Sequence, residues 1–479
     1  MLLLALILIA TPPKPHALID SAIAAMQRTA SLRSLRSLRL TGIQHEYVLG
    51  NAERAEGPFR TSYSMFSELR DLQTGASRRT DKIPNPNAGA AADRVTILVD
   101  SVVAIRSGAR ELASSHAFFE DIIDRIDGSP ERALTLAAAS SDLKIEGTAK
   151  RYGLTYDVVS FPWRNGRMKI ELSRETRLPD AVEIDRRYDD NFRWNIFPSV
   201  TMRMDYLDWN ITPSGALFPL QVRVSLNGEP LRNVTFSSVL ADAAPPAADS
   251  FAVSDSARIQ YAANSKLNFS RFAFGARGEP KELKPGIVRV VDQWVMTLVK
   301  QPDGVVVFES HISGRYFRDV VAEVNRRWPG SRIKAVVLTS DPWGHLGGFR
   351  EVVSMGYPVY VSARSIPFLT SLAKGEKAPK FVAVSGKTTI GTGENRIELY
   401  PVGGPYAERM VMAYFPDHRL LYGADLVFMN RGPDGKPSGG FMATPAEDLR
   451  RAVARERLVV DSVFCVQNYG PFAWSEFAK

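Results

Sequence analysis

Residues 333–348 read IKAVVLTSDPWGHLGG, and this stretch decides how the C-terminal part of the chain folds. Residues 333–338 form a nearly continuous apolar run, which is typical of parallel strands that are buried on both faces. Small and polar residues and a Gly-Gly pair follow at once. The sequence therefore predicts a buried parallel strand whose end opens into a loop with polar side chains.

The regions around this stretch alternate between strand and helix patterns. Residues 288–299 predict two strands, residues 304–309 predict a buried strand, and residues 315–328 predict an amphipathic helix. After the Gly-Gly pair, a helix and a short strand at residues 358–362 are predicted. Such an alternation favours a sheet with helices packed on it.

The loop at residues 339–348 resembles the metal-binding motif of metallo-β-lactamase-like hydrolases, Thr-His-x-His-x-Asp-His-x-Gly-Gly, which also follows a strand. The two align without gaps, and four positions agree: Thr339, His345, Gly347 and Gly348. Three metal-ligand positions differ, because Ser340 and Pro342 replace two histidines and Gly344 replaces the aspartate. The resemblance implies a divergent member of this superfamily whose metal motif is degenerate.

Later segments continue the resemblance. Asp425 matches the carboxylate that bridges two metal ions in the family, whereas Tyr406 stands where family members usually carry a histidine. The closing His-Gly of the family is replaced at residues 468–470. The resemblance covers roughly residues 285–479, and it implies an αββα metallo-β-lactamase-like sandwich for a domain placed at residues 276–479.

The N-terminal half shows strand patterns separated by turn signals. Asn165-Gly166 and Asn227-Gly228 each separate two predicted strands, and Asn-Gly is typical of tight hairpin turns. Residues 241–248 have the composition of a linker. The whole chain is therefore predicted to be an α+β protein of two domains, in which a curved antiparallel β-rich domain at residues 18–275 precedes the αββα sandwich.

The N-terminus resembles an export signal. Residues 2–10 are uniformly apolar, too few to span a bilayer as a helix but similar to the hydrophobic part of a signal peptide. Residues 1–17 are therefore predicted to be a signal peptide, with a buried N-terminal strand or a misassigned start codon as the alternatives. The protein is expected to be periplasmic or secreted, and no later segment predicts a transmembrane helix.

Composition narrows the choice of partner. The net charge is +8, but the basic residues are scattered rather than clustered, which argues against a nucleic-acid partner. Hydrophobic residues make up 45% and charged residues 23% of the chain, as in a folded globular protein. The single cysteine, Cys465, lies in an apolar run and is predicted to be a core residue.

The number of histidines limits the metal chemistry. The chain has six, and His311, His345 and His418 are those of the C-terminal domain. A catalytic zinc ion needs three protein ligands, and a two-metal centre needs about twice that number. The family's two-metal centre cannot be assembled from these residues. No cofactor is expected; the alternative is one divalent ion (Zn, Mn or Fe) held by Asp341, His345 and Asp425.

Five further side chains are predicted to line the mouth of the former metal pocket: Ser340, Trp343, Tyr406, Asn468 and Tyr469. Aromatic side chains there would bind the apolar face of a ligand, or simply pack against their neighbours. Ser340 is either a neutral replacement for a ligand or a nucleophile with His345 as its base. No Gly-x-Ser-x-Gly elbow surrounds it, so the sequence identifies no catalytic residue.

Two hypotheses of different classes follow. In the first, the protein is an exported, non-hydrolysing relative of the metallo-β-lactamases. It uses its former metal pocket or its β-rich half to bind a ligand or partner, such as a small molecule or an envelope component. In the second, it is an atypical hydrolase with the reduced single-metal site of Asp341, His345 and Asp425. The loss of most family ligands favours the first hypothesis.

Overall fold

The computed structural model describes residues 14–27, 34–50, 57–83, 92–108, 110–114, 116–247, 249–431, 437–467 and 470–479. They form two compact units. The β-rich unit comprises the residues up to Tyr47, Thr61–Tyr188 and Ser199–Ser265; the C-terminal unit comprises Val48–Arg60, Asp189–Pro198 and Lys266–Lys479.

Two short segments, residues 48–60 and 189–198, belong to the C-terminal unit, whereas the sequence predicted them to be part of the domain at residues 18–275. The second segment carries Phe192, whose ring lies 5.9 Å from that of Trp294. It also carries Phe197, 5.0 Å from Trp343. Strand periodicity gives no sign of such packing, because the partners are distant in the sequence.

One antiparallel sheet of thirteen strands makes up most of the β-rich unit. The strands are β1 (Ser37–Tyr47), β2 (Thr61–Asp71), β3 (Ser77–Ile83), β4 (Ala92–Val99), β5 (Val102–Ser107), β6 (Arg110–Ala113), β7 (Lys144–Arg151), β8 (Leu154–Trp163), β9 (Gly166–Ser173), β10 (Pro179–Arg186), β11 (Val200–Ile211), β12 (Leu217–Leu226) and β13 (Glu229–Asp242). Their order is β6-β5-β4-β3-β2-β1-β13-β12-β11-β10-β9-β8-β7, so that the first and last strands in sequence pair at the middle of the sheet.

Both predicted hairpins are present in this sheet. Asn227 and Gly228 connect β12 to β13 with φ angles of 51° and 90°, as a tight turn between antiparallel strands requires. In the other hairpin the register shifts the turn by one residue, because Trp163 pairs with Gly166 and the connecting residues are Arg164 and Asn165. The predicted α+β class with large antiparallel sheets is confirmed.

The described residues of this unit also form the helices α1 (Pro15–Met26), α2 (His116–Asp127), α3 (Pro130–Ala139) and α4 (Asp255–Asn264). The turn between α2 and α3 contacts strand β11, where the Tyr206 hydroxyl donates a hydrogen bond to the Gly128 carbonyl. Asp124 of α2 accepts two hydrogen bonds from Arg186 of β10, at 3.0 and 2.9 Å. Burial of this ion pair requires such good geometry, since unpaired charges in the core are costly.

The C-terminal unit has two larger sheets and a two-stranded ribbon. The seven-stranded sheet contains, in spatial order, β14 (Lys281–Lys284), β15 (Ile287–Val291), β16 (Val295–Gln301), β17 (Gly304–Phe308), β18 (Ile333–Leu338), β19 (Pro358–Ser362) and β20 (Lys380–Val384). The six-stranded sheet is built from β21 (Thr388–Ile390), β22 (Ile397–Pro401), β23 (Val411–Phe415), β24 (Leu420–Tyr422), β27 (Ser462–Phe464) and β28 (Phe472–Ala473), and the ribbon from β25 (Met429–Arg431) and β26 (Pro437–Phe441).

Helices of the C-terminal unit are α5 (Gly314–Arg327), α6 (Phe349–Met355), α7 (Ile366–Leu372), α8 (Ala443–Arg455) and α9 (Trp474–Phe477). The main core cluster joins apolar side chains of the two larger sheets, including Phe308 and Val337 from one and Phe415 and Tyr422 from the other. The opposite face of the six-stranded sheet packs on α8, where Leu449 is buried. Strands β17 to β20 are parallel, as the apolar run at residues 333–338 predicted.

The predicted signal peptide falls largely on residues 1–13, which lie outside the described residues. The remaining part, residues 14–17, consists of Lys14 and the first three residues of α1, which begins at Pro15. Within the described ranges, no helix is long and apolar enough to cross a membrane.

Candidate functional site

The motif loop and its neighbours surround a cavity of about 190 Å³ in the C-terminal unit. It lies beyond the carboxyl end of β18, where parallel sheets commonly bind ligands. The lining residues are Arg60, Phe192, Trp294, Asp341, Pro342, Gly344, His345, Tyr406, Arg409, Met410, Asp425, Phe428 and Gln467. The three candidate metal ligands and Tyr406 are therefore brought to one cavity.

Asp341 is held by a cation. Its Oδ1 lies 3.1 Å from an Arg409 guanidinium nitrogen, and the two side chains are only 6% and 9% exposed. Arg409 follows the six-stranded sheet's β22 and precedes β23, so the pair links the motif loop to the second sheet. A guanidinium at this distance stabilises the negative charge of a buried carboxylate. Asp341 therefore already has a cationic partner within the protein.

The other two candidate ligands have neutral partners. Gln467 donates a hydrogen bond from Nε2 to Asp425 Oδ1 over 2.5 Å. The Ser340 hydroxyl lies 3.0 Å from His345 Nδ1, and either group can be the donor. Burial lowers the pKa of His345, although the Asp425 carboxylate offsets part of this effect, so the ring is held mainly neutral.

A metal ion does not fit these residues in their present arrangement. The described part of the chain contains no group of three or more His, Cys, Asp or Glu side chains placed to hold a metal ion. Asp341, His345 and Asp425 line one cavity but do not form such a group in this arrangement. A guanidinium beside Asp341 also opposes a dication by charge repulsion.

An aromatic and imidazole cluster lies next to the cavity. The rings of His311 and His345 are 4.9 Å apart, and the Trp294 ring is 5.3 Å from His345 and 5.6 Å from His311. His311 is fully buried, and burial together with the nearby His345 lowers its pKa well below the ordinary value. Both imidazoles therefore act as neutral, partly apolar groups in this cluster.

Glu309 lies at the end of β17, close to the same site, and is fully buried. Its Oε1 accepts hydrogen bonds from the Thr339 hydroxyl and from the Tyr422 hydroxyl, the latter at 3.2 Å. Burial raises the pKa of Glu309 to about 8, with a smaller contribution from Asp425. The backbone here is strained, since Glu309 has a φ of 73° and Ile312 a φ of 69°.

The other residues that were predicted to line the pocket differ in their positions. Trp343 is buried, its backbone N–H donates to the Gly50 carbonyl at 2.9 Å, and it is not among the described residues that line the cavity. Ser340 is likewise buried and outside this lining, with its hydroxyl 3.0 Å from His345 Nδ1. Tyr406 does line the cavity, with its ring 6.3 Å from that of Phe428. Asn468 and Tyr469 lie outside the described residues.

Neither a family model nor a curated protein matches the chain. Solved structures do: a metallo-β-lactamase from Pontibacter korlensis is 19% identical, with 42% of this chain and 95% of its own covered and a TM-score of 0.33. The DIM-1 metallo-β-lactamase is 15% identical over 42% and 93%, with a TM-score of 0.34. A metallo-β-lactamase from Erythrobacter litoralis is 15% identical over 42% and 92%, with a TM-score of 0.33. These matches agree with the predicted resemblance to metallo-β-lactamases. They cover 42% of this chain and concern its fold alone.

The sequence did not predict seven of the lining residues: Arg60, Phe192, Trp294, Arg409, Met410, Phe428 and Gln467. Most have no signal in the sequence, because an isolated arginine or aromatic residue in a loop looks the same whether it faces a cavity or the solvent. Gln467 is the exception, since it directly precedes residues 468–470, which the predicted resemblance aligns with a closing His-Gly motif.

The prediction for Cys465 is confirmed. Its side chain is fully buried in the cluster between the six-stranded sheet and α8. Burial raises the pKa of its thiol to about 12. A buried thiol of this kind is an inert core group rather than a nucleophile.

Proposed function

We propose that the C-terminal unit is a divergent αββα sandwich of the metallo-β-lactamase type, and that the exported protein binds a small molecule there without hydrolysing it. The ligand is a free metabolite or a small component of the cell envelope. Export is proposed on the apolar residues 2–10 and places the protein in the periplasm or outside the cell.

The observation that carries this proposal is the ion pair of Asp341 and Arg409. A metal ion bound by Asp341 would have to displace Arg409, which would leave a guanidinium buried and unmatched. Losing one partner of a buried ion pair costs about 3–5 kcal/mol. The arrangement of charges therefore favours an organic ligand over a metal ion in this cavity.

The cavity has the mixed lining of a small-molecule site. Aromatic rings, namely Phe192, Trp294, Tyr406 and Phe428, share it with the polar groups of the motif loop. Such sites combine apolar walls, which supply affinity, with a few polar groups that orient the ligand.

One observation favours the second hypothesis, the atypical hydrolase. Asp341, His345 and Asp425 come from two separate parts of the sequence, yet all three line one cavity. If Arg409 moved away, their oxygen and nitrogen atoms would be the available donors for one divalent ion. This activity would need a different position of Arg409 from the one observed.

The two hypotheses are distinguished by the metal content of the untagged protein, measured by plasma mass spectrometry after purification in buffer containing zinc and manganese. We expect less than about one tenth of an equivalent of metal in the wild type and in a His345→Ala, Asp425→Ala double variant. The matched control is the double variant Asp417→Ala, His418→Ala, which changes the same residue types at the turn between β23 and β24.

One equivalent of metal in the wild type and in the control, lost only in the His345→Ala, Asp425→Ala variant, would overturn the proposal. Ester, thioester and phosphodiester hydrolysis are assayed with the same preparations. Turnover that the same double variant abolishes would likewise identify the protein as a hydrolase.

A further inference from the structure

The two carboxylates of the cavity differ in their charge environment. Asp341 is paired with Arg409 at 3.1 Å. Asp425 instead accepts a hydrogen bond from the neutral amide of Gln467, and among the ion pairs of the described residues none includes it. Asp425 is only 7% exposed. A buried carboxylate without a cation is costly, because a neutral hydrogen bond does not balance its charge.

The other charged groups of the cavity do not supply that cation. Arg409 is neutralised by Asp341, and Arg60 is exposed, where solvent and salt screen its charge. The Ser340 hydroxyl lies 3.0 Å from His345 Nδ1 and is the hydrogen-bond partner of that ring. Asp425 is therefore the carboxylate of this cavity whose partner is a neutral amide and not a guanidinium.

Aromatic rings line the same cavity. Phe192 and Trp294 are neighbours, with ring centroids 5.9 Å apart, and Tyr406 and Phe428 form a second pair at 6.3 Å. The faces of aromatic rings attract cations, and organic ammonium groups are commonly bound by a carboxylate together with such rings. The aromatic rings and the Asp425 carboxylate of this cavity therefore both favour a ligand with an organic ammonium group.

We infer that the cavity binds a small organic molecule with an ammonium group, for which Asp425 is the counter-ion and Trp294, Tyr406 and Phe428 provide aromatic walls. The inference rests on the proposed function, since it requires the cavity to be a ligand pocket rather than a metal centre. A cavity of about 190 Å³ is smaller than the usual pocket for drug-sized ligands, so the ligand is a small amine rather than a peptide.

The test is isothermal titration of the full chain with benzylamine, which is a protonated amine at pH 7, and with benzyl alcohol as its neutral analogue. We expect benzylamine to bind and benzyl alcohol to bind at least about tenfold more weakly. Asp425→Asn keeps the shape of the side chain but removes its charge, so it should weaken benzylamine binding about 10- to 100-fold. Asp417→Asn, an exposed change of the same type, should leave the affinity unchanged.

Phe428→Leu provides a second variant, because it removes one ring and leaves the carboxylate in place. We expect it to weaken benzylamine binding several-fold and to leave benzyl alcohol less affected. Circular dichroism of each variant verifies that it is folded. The inference is overturned if the wild type binds neither compound, if it binds both equally, or if Asp425→Asn binds benzylamine as well as the wild type does.

These results are separable from the test of the proposed function. A metal-free protein without hydrolytic activity that does not bind benzylamine would refute the ammonium ligand and leave the non-hydrolysing pocket standing. A protein with one equivalent of metal at this site would refute both.

Discussion

Arg409 places a guanidinium nitrogen 3.1 Å from the carboxylate of Asp341, and both residues line the same cavity. The two residues are far apart in the sequence and come together because β18 and β23 belong to sheets that share a core. Val411, two residues after Arg409, donates a backbone hydrogen bond to the Thr339 carbonyl at 2.8 Å, which fixes the two loops against each other.

The first prediction concerns this ion pair. Arg409→Met removes the cation and leaves Asp341 buried, so we expect the free energy of unfolding to fall by about 3–5 kcal/mol. The double variant Arg409→Met, Asp341→Leu should lose less than the sum of the single variants, because it leaves neither charge unmatched. Urea unfolding followed by circular dichroism measures all four proteins of the cycle; strictly additive losses would show that the two side chains do not interact.

A second prediction uses the carboxyl group of Glu309. The unfolded chain releases this proton near pH 4.5, whereas the native protein retains it to about pH 8. Between these values the native state binds more protons, so this group makes the free energy of unfolding fall as the pH rises, by up to about 1.4 kcal/mol per pH unit. Below pH 4.5 its contribution is constant.

Glu309→Gln tests this directly, because glutamine has the shape of the protonated side chain and does not titrate. We expect the variant to be more stable than the wild type at pH 8 and to have a flatter dependence of stability on pH between 5 and 8. Urea unfolding across this range gives the comparison, with Glu394→Gln at an exposed position as the control. Parallel pH profiles for wild type and Glu309→Gln would contradict the raised pKa.

The third prediction concerns Gly347, one of the two adjacent glycines of the motif loop. A Cβ at position 347 would lie 2.2 Å from the Ile312 carbonyl oxygen, which is backbone and cannot rotate away. We therefore expect Gly347→Ala to destabilise the protein by about 1–3 kcal/mol. Gly386→Ala adds a methyl group with nothing within 4 Å and should be nearly neutral. Thermal unfolding of the two variants gives the comparison, and equal midpoints would mean that the loop at Ile312 can yield.

The fourth prediction is that the thiol of Cys465 is unreactive in the native protein. It is buried and its pKa is raised to about 12, so almost no thiolate is present at pH 8. A chromogenic disulfide reagent should label none of the native protein within the time in which it labels one thiol per chain in urea. Rapid labelling without denaturant would show that the end of strand β27, which Cys465 directly follows, unfolds locally in the native protein.

Local patterns in the sequence were sufficient to predict several strands and helices and to locate the motif loop. The apolar run at residues 333–338 predicted a buried parallel strand, which is β18, and the helix predicted at residues 315–328 corresponds to α5 at Gly314–Arg327. The differences of Ser340, Pro342 and Gly344 from the metal-binding motif that this loop resembles are also visible in the sequence alone. These features depend on residues within a few positions of one another, so periodicity and residue type are sufficient to find them.

Tertiary structure alone decided what surrounds the motif. The sequence does not show that Arg409 pairs with Asp341, that Gln467 binds Asp425, or that Phe192 joins the lining from a segment between two strands of the other unit. Each of these contacts joins residues that the packing of sheets brings together. Charge pairing and burial depend on three-dimensional distance, which local sequence patterns do not encode, so the chemical character of the cavity appeared only when the chain was folded.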